Sequence, residues 1–379
     1  MKRVLYLNNY MLNDVINQRK NKEIFSQAAN NKVNAIRKSL ERNNVYVQIL
    51  SSGLVNNKKL KFYKEFNSEI DKKLTYCSIL DAPLLNIITS IFFMFFKIKK
   101  IHKNQKVSNI IFYNYKPEVA IPALLAKKLL KIPITLEYED GYHTVDSIGK
   151  MKSVLFTLTE KIVSKNIDSA ILVTSKLRQR VNVKNVVVRG VVDEILLIES
   201  SKKVKKNKKI KIIYSGGLDE ERGIKILLES LKYIDYDFDL VITGKGIFEN
   251  QVREYKDSRI KFYGFVDYDL VKKLIVNSDI LINCQLEKHN FGEASFPSKI
   301  FEYIATGNRI VSSKVSDIYE FAKDCFYFYD DDKPENLALA IKKAINDIEN
   351  NNNYYLENTK RICYENTYDS IGKIILKIL

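Results

Sequence analysis

The chain has 379 residues, enough for about two domains, and its 46% hydrophobic content lets each bury a core. Four cysteines stand far apart with no CxxC pair, and only three histidines accompany them. This argues against a disulfide framework and a zinc site, so no metal and no cofactor is expected. The net charge of +17 is unevenly spread: residues 1–200 hold 33 Lys and Arg against 17 Asp and Glu, a net +16, whereas residues 210–379 hold 23 against 28, a net −5. A basic front half suits an anionic surface such as a membrane. Nucleic acid is not expected, since no recognition motif and no basic–aromatic interleaving is present.

In chain order, the start MKRVLYLNN has too short an apolar run for a signal peptide. It reads as a first buried strand over 4–7, which points to a cytoplasmic protein, peripheral at most on the inner face of the plasma membrane. A helix over 27–42 and strands over 45–50 and 109–113 follow. The apolar stretch 84–96 is too short to span a bilayer and runs into Lys97, Lys99, Lys100, His102 and Lys103. Its length favours a buried helix over one lying in a membrane interface. A helix over 117–130 and strands over 133–137, 170–173 and 185–188 complete a βα series, the signature of a parallel sheet.

The lysine-rich run 202–209 has no apolar periodicity and reads as a linker. A second series starts behind it: strands over 211–214, 238–243, 259–263, 280–283 and 309–312, with helices over 223–233 and 270–277. Domains of 1–200 and 201–364 are expected, with a last helix at about 365–379 packing back on the first. Two doubly wound domains would leave a cleft, and ligands of such sheets sit at the C-terminal ends of strands. The loops 215–218, 244–246, 264–266 and 285–297 all follow strands.

The run 291–307, FGEASFPSKIFEYIATG, carries the most chemistry. Pro297 suits the first turn of a helix and Gly307 its C-cap. Lys299 and Glu302, three apart, share a face, and Ile300, Phe301 and Ile304 can cover the other. Backbone N–H groups at the helix start, Ser298 among them, attract phosphate. A carboxylate one turn in can accept from two sugar hydroxyls. An ordinary amphipathic helix would share the Pro start and Gly stop, so the flanking loops decide.

Together, 214–231 (YSGGLDEERGIKILLESL), 243–246 (TGKG), 262–266 (FYGFV) and 296–307 (FPSKIFEYIATG) resemble the C-terminal domain of family 4 retaining glycosyltransferases in order and spacing. The resemblance is specific across about 205–330. Before residue 200, only the α/β rhythm and the chain start fit. It implies an α/β, GT-B fold of two Rossmann-like domains facing across a cleft. It also implies sugar transfer, with retention, from a UDP- or GDP-sugar to a saccharide or lipid-linked acceptor in surface-polysaccharide synthesis.

By the same resemblance, Gly216 and Gly217 let the backbone approach the donor phosphates. Arg222 falls at a phosphate-binding cation, and a guanidinium can hold two phosphate oxygens. Glu302 is the ribose-binding carboxylate. Gly264, Phe265 and Val266 lie where the nucleobase docks, and Gly244, Lys245, Ser295, Pro297, Ser298 and Lys299 complete the donor set.

Two departures stand out. Gly217 replaces a frequent Arg, for which Lys299 or Lys245 are the candidate substitutes. Ala294 stands where an acid is frequent, with Glu293 one residue off. Glu139, Asp140 and His143 compete to face the donor sugar; Asp140 and Glu293 are taken as the catalytic candidates, although Asp140 before Gly141 also fits a turn. Asn8 and Asn9 follow the first strand, where polar residues can line a cleft.

The DxD pairs within 235–239 precede a strand, the wrong end for a ligand, and read as solvated loop acids. Asp330, Asp331 and Asp332 read as an exposed turn. No GxGxxG follows the first strand, against a dehydrogenase. An epimerase or hydrolase on the same fold would share the donor pocket.

Overall fold

A computed structural model describes residues 1–20, 27–55, 60–139, 150–201, 209–288 and 296–379. Asp140, His143, Glu293, Ala294, Ser295 and the run 202–208 therefore lie outside the described residues. The chain divides into two units, Met1–Val191 with Tyr368–Leu379, and Val192–Thr367.

The first unit opens with β1 (Arg3–Asn8), α1 (Asn13–Arg19), α2 (Gln27–Arg42) and β2 (Tyr46–Ser51). Four short strands follow: β3 (Lys61–Tyr63), β4 (Phe66–Asn67), β5 (Leu74–Tyr76) and β6 (Ile79–Asp81). Then come α3 (Leu85–Asn104), β7 (Asn109–Tyr113), α4 (Pro117–Leu130), β8 (Ile134–Tyr138), α5 (Lys150–Val163), β9 (Ser169–Leu172) and β10 (Lys184–Val187). The sheet order is β10-β9-β8-β7-β1-β2-β5-β4, parallel except for the edge pair β4–β5. The central strands are buried almost end to end and mostly apolar, as strands covered on both faces are, with Asn109, Thr135 and Glu137 the buried polar exceptions on β7 and β8.

α3 corrects an expectation. The stretch 84–96 is not a buried helix. It is the first part of a 20-residue helix whose buried residues are Ser90, Met94 and Ile98. These three recur at spacing four, and the helix packs on α4 and β6. Leu85, Ile88, Phe92 and Phe96 stay exposed.

The second unit holds α6 (Glu194–Ser201), β11 (Ile210–Ser215), α7 (Ile224–Ser230), β12 (Phe238–Thr243), α8 (Glu249–Glu254), β13 (Ile260–Gly264), α9 (Tyr268–Val276) and β14 (Ile280–Asn283). It continues through α10 (Lys299–Thr306), β15 (Arg309–Ser312), α11 (Ile318–Ala322), β16 (Tyr327–Phe328), α12 (Pro334–Glu349) and α13 (Tyr354–Glu365). Its six strands run in the order β13-β12-β11-β14-β15-β16, all parallel. The order reverses between β11 and β14, the place where sheets of this kind take their ligands, beyond the strand ends. The boundary lies at Val191/Val192 instead of 200/201, because α6 packs on α9 and α10 and so belongs with the second unit.

The last helix, α14 (Tyr368–Leu376), returns to the first unit and packs on α2. Gly372 permits the close approach. A Cβ there would fall 2.1 Å from the Ser39 carbonyl oxygen and 2.1 Å from Asn43 Nδ2. Ile371, Ile375 and Ile378 join the core built on Val4, Tyr6, Ile36 and Leu40. Among the described residues, no helix is long and apolar enough to cross a membrane.

Candidate functional site in the second unit

Three loops at the C-terminal ends of β11, β12 and β13 are laced by backbone hydrogen bonds. Gly216 N–H donates to the Thr243 carbonyl at 3.1 Å, Leu218 N–H to Lys245 at 2.9 Å, and Gly244 N–H to Gly264 at 2.9 Å. Gly244 has φ +146° and a Cβ there would lie 1.8 Å from the Gly216 carbonyl oxygen, so the lacing demands glycine. Gly216 differs. A Cβ there would meet only Tyr214 Oη at 3.4 Å and Lys299 Nζ at 3.6 Å, ordinary contacts. The fold does not require glycine at 216, and the space in front of it opens on a cation.

That cation is Lys299, the first residue of α10. Its ammonium stands 5.1 Å from the centre of the Tyr214 ring and 5.9 Å from that of Tyr303. Among the described residues it has no ion-pair partner. Burial lowers its pKa to about 8, and the Arg222 charge pushes the same way. An ammonium that is part-desolvated and unpaired favours an arriving anion. Lys245, the other candidate substitute, lies over the exposed Phe265 ring at 4.7 Å.

Arg222 ends a short 3-10 turn at 220–222, and its guanidinium is about half exposed. It donates to Gln285 Oε1 at 3.3 Å and lies 3.8 Å from Glu221. Gln285 is buried, and its own carbonyl accepts from Ser313 Oγ at 2.6 Å. A Cβ on Gly217 would stand 3.0 Å from Asp219 Oδ2 and 3.4 Å from Arg222 Cγ, so the Arg222 stem runs beside this position. Tyr214 Oη donates to the Gly217 carbonyl at 2.5 Å and fixes the turn.

The start of α10 corrects part of the sequence reading. Ile300 and Phe301 N–H groups donate to the Pro297 and Ser298 carbonyls at 3.1 and 3.2 Å. They are not free for an anion. The helix is first counted at Lys299, two residues beyond Pro297. Gly307 closes it with φ 63°. Ile300, Phe301 and Ile304 are buried, as their spacing predicts, while Lys299 and Glu302 keep partial exposure. Glu302 Oε1 accepts from Tyr268 Oη at 2.9 Å. Burial raises the Glu302 pKa, opposed by that hydrogen bond.

Sequence reasoning missed Tyr268 and Gln285. Tyr268 begins α9, directly behind the loop at 264–266, so its place after a strand-end loop was a usable signal. Gln285 opens the loop after β14.

The acidic runs do other work. Asp237 and Asp239 pair with Lys209 at 2.5 and 3.6 Å, and Asp239 with Lys261 at 2.5 Å, at the N-terminal end of β12. Asp332 accepts from the Glu287 and Lys288 N–H groups at 3.0 and 3.2 Å, holding the loop after β14.

In the first unit, Glu139 pairs with Lys32 at 3.1 Å, and its N–H donates to Asn114 Oδ1 at 2.8 Å. Asn8 is buried and accepts from Tyr10 N–H at 2.9 Å. Asn9 donates to Glu118 at 3.1 Å. Both asparagines tie local structure.

Residues 197–361 match the family Glycosyl transferases group 1. The match spans most of the second unit. Solved structures similar to the whole chain include sucrose-phosphate synthase from Thermosynechococcus elongatus, with 13% identity, TM-score 0.69 and 100% and 98% of the two chains covered. A glycosyltransferase from Rickettsia africae gives 16% identity and TM-score 0.69, with 100% and 97% covered. Anabaena HepE in complex with UDP gives 13% and 0.61, with 100% and 99% covered. At these identities the likeness establishes the fold, which is GT-B with two Rossmann-like units. None of the curated proteins compared with the chain matches it. The matched stretch contains every described donor-site residue named above.

Proposed function

We propose that this glycosyltransferase moves a hexose-type sugar from a nucleotide diphosphate sugar to a saccharide or lipid-linked acceptor, with retention, in cell-surface polysaccharide synthesis. The observation that carries the donor assignment is the unpaired Lys299 ammonium facing the open side of Gly216, with Arg222 beside the same turn. A diphosphate there meets two cations and the backbone of 216–217. Glu302 takes the ribose hydroxyls through the oxygen that Tyr268 leaves free. The nucleobase lies along 264–266. HepE, whose solved complex holds UDP, supports a uridine nucleotide as the first donor to try.

Charge on the departing diphosphate is stabilised by Arg222 and Lys299, in a site whose donors need no reorganisation. The phosphate itself helps deprotonate the acceptor, so no protein nucleophile is invoked. Asp140 and Glu293 are the proposed groups nearest the reacting carbon. The first unit binds the acceptor, in a cytoplasmic enzyme whose basic front half docks on an anionic membrane surface. The transfer is read as metal-independent, since Asp237 and Asp239 are engaged by lysines at the strand's far end.

Incubation with UDP- and GDP-sugars and a lipid-linked acceptor tests this. The expected product is an acceptor glycoside with the donor's anomeric configuration. Nucleotide release without acceptor product points to a hydrolase or epimerase and contradicts the reading.

A further inference from the structure

α3 is amphipathic in an unusual direction: its polar end is cationic and its outward face is apolar. Leu85, Ile88, Phe92 and Phe96 recur at spacings of three and four and so share a face. Ile88 is 59% and Phe92 55% exposed. Phe92 and Phe96 rings sit 4.5 Å apart, a continuous aromatic surface. Phe62 of β3, itself exposed, extends it through Phe93 at 5.6 Å. α5, packed on the same α4, shows Val154, Leu158 and Ile162 exposed at spacing four. Soluble proteins seldom leave such contiguous surface uncovered without a partner.

The charge beside this surface says what the partner is. α3 contains no acidic residue, and four lysines fill its second half. Lys99, Lys100 and Lys103 are exposed, as are Lys61 and Lys64 beside Phe62. Glu65, the acid beside them, is taken up by Lys97 at 2.6 Å, and a protein partner's apolar patch would not call for the cationic excess that remains. An anionic bilayer does, because its headgroups attract the lysines while its acyl boundary takes the aromatic rings.

We infer that the outward face of α3, with Phe62, inserts into the headgroup–acyl boundary of an anionic membrane. This rests on the peripheral docking part of the proposed function and adds that apolar insertion, not charge alone, holds the enzyme there.

The chain contains no tryptophan, so Phe92→Trp gives a single reporter. Full-length Phe92→Trp is mixed with vesicles of phosphatidylglycerol and phosphatidylcholine, or of phosphatidylcholine alone, and its emission is followed. Sedimentation compares wild type with Ile88→Ser/Phe92→Ser. Both positions are exposed, and an unchanged melting temperature verifies the fold. The expected result is a blue shift with the mixed vesicles and at least ~10-fold weaker sedimentation of the double variant, from loss of two inserted apolar side chains. Vesicle binding with unshifted emission and an undiminished double variant would overturn insertion and leave charge-driven docking standing. No wild-type binding to either vesicle overturns both. A blue shift that grows with protein concentration in the absence of lipid identifies a second copy as the occupant, and equally overturns the inference.

Discussion

Tyr268 donates its hydroxyl to Glu302 Oε1 at 2.9 Å, and Lys272 lies 4.9 Å from the same tyrosine ring. The bond fixes one carboxylate oxygen and leaves the other for a ligand hydroxyl. Tyr268→Phe therefore lets Glu302 rotate. It is expected to raise the donor KM several-fold with kcat little changed, since a ground-state positioning contact is lost. Steady-state kinetics with varied donor check this; an unchanged KM removes Tyr268 from the site.

Lys299 sets a pH limit. Its pKa is held at about 8, so the ammonium is present below that and lost above it. Donor affinity is expected to fall as pH rises through about 8 in wild type but not in Lys299→Arg. The sign for stability is opposite: a lysine whose folded pKa is lowered contributes stability at high pH, which is lost as pH falls through about 8. Lys299→Met is expected to melt a few degrees higher than wild type at neutral pH while binding nucleotide worse. Calorimetry against pH and melting curves measure both; a Lys299→Arg profile that falls like wild type contradicts the assignment.

Gly216 and Gly244 should behave differently. An alanine at 244 brings a methyl to 1.8 Å from the Gly216 carbonyl oxygen, so Gly244→Ala is expected to cost about 2 kcal/mol or more in stability. At 216 the methyl makes only ordinary contacts. Gly216→Ala is expected to keep its melting temperature and lose nucleotide affinity at least ~10-fold, because the methyl stands in front of Lys299. Denaturant melts and nucleotide titrations separate the two effects; intact affinity in Gly216→Ala would place the diphosphate elsewhere.

In the first unit, the buried Tyr6 hydroxyl donates to buried Glu137. Burial pushes the Glu137 pKa up to about 7, opposed by that bond and by the Lys32 charge. The folded chain thus keeps a proton that the unfolded chain releases above the ordinary carboxylate range. The associated stability is present at low pH and is lost as pH rises through about 7, at most about 3 kcal/mol. Glu137→Gln is expected to flatten the melting temperature between about pH 5 and about pH 7. Parallel wild-type and variant slopes contradict the assignment.

Much of the frame was legible because apolar runs and breakers coincide. β7, α4, β12, β14 and β15 fall where the spacing placed them. The strands β3 to β6 were not legible: with two or three residues each, they show no alternation. α12 was missed although Leu337, Ile341 and Ile345 recur at spacing four, because the alanines between them dilute the apolar signal. The lysine run drew the domain boundary past α6, whose packing on α10 no local pattern reveals.

At the site, types and order were readable and partners were not. The face shared by Lys299 and Glu302 follows from spacing three. The Tyr268–Glu302 bond joins residues 34 apart, and the Arg222–Gln285 bond residues 63 apart. Those pairings arise only once the parallel sheet brings its strand ends together. The exposed face of α3 was misjudged for a related reason: apolar content fixes neither which side of a helix is covered nor how wide the covering is.

Calorimetric titration of UDP, GDP and their sugars into the full-length protein tests the central claim most directly, with Arg222→Ala and Glu302→Gln alongside. One nucleotide series is expected to bind wild type, and each variant to bind it at least ~10-fold more weakly, since each loses a charged hydrogen-bond partner. Folded wild type that binds none of them, or variants that bind as tightly as wild type, would contradict the donor site.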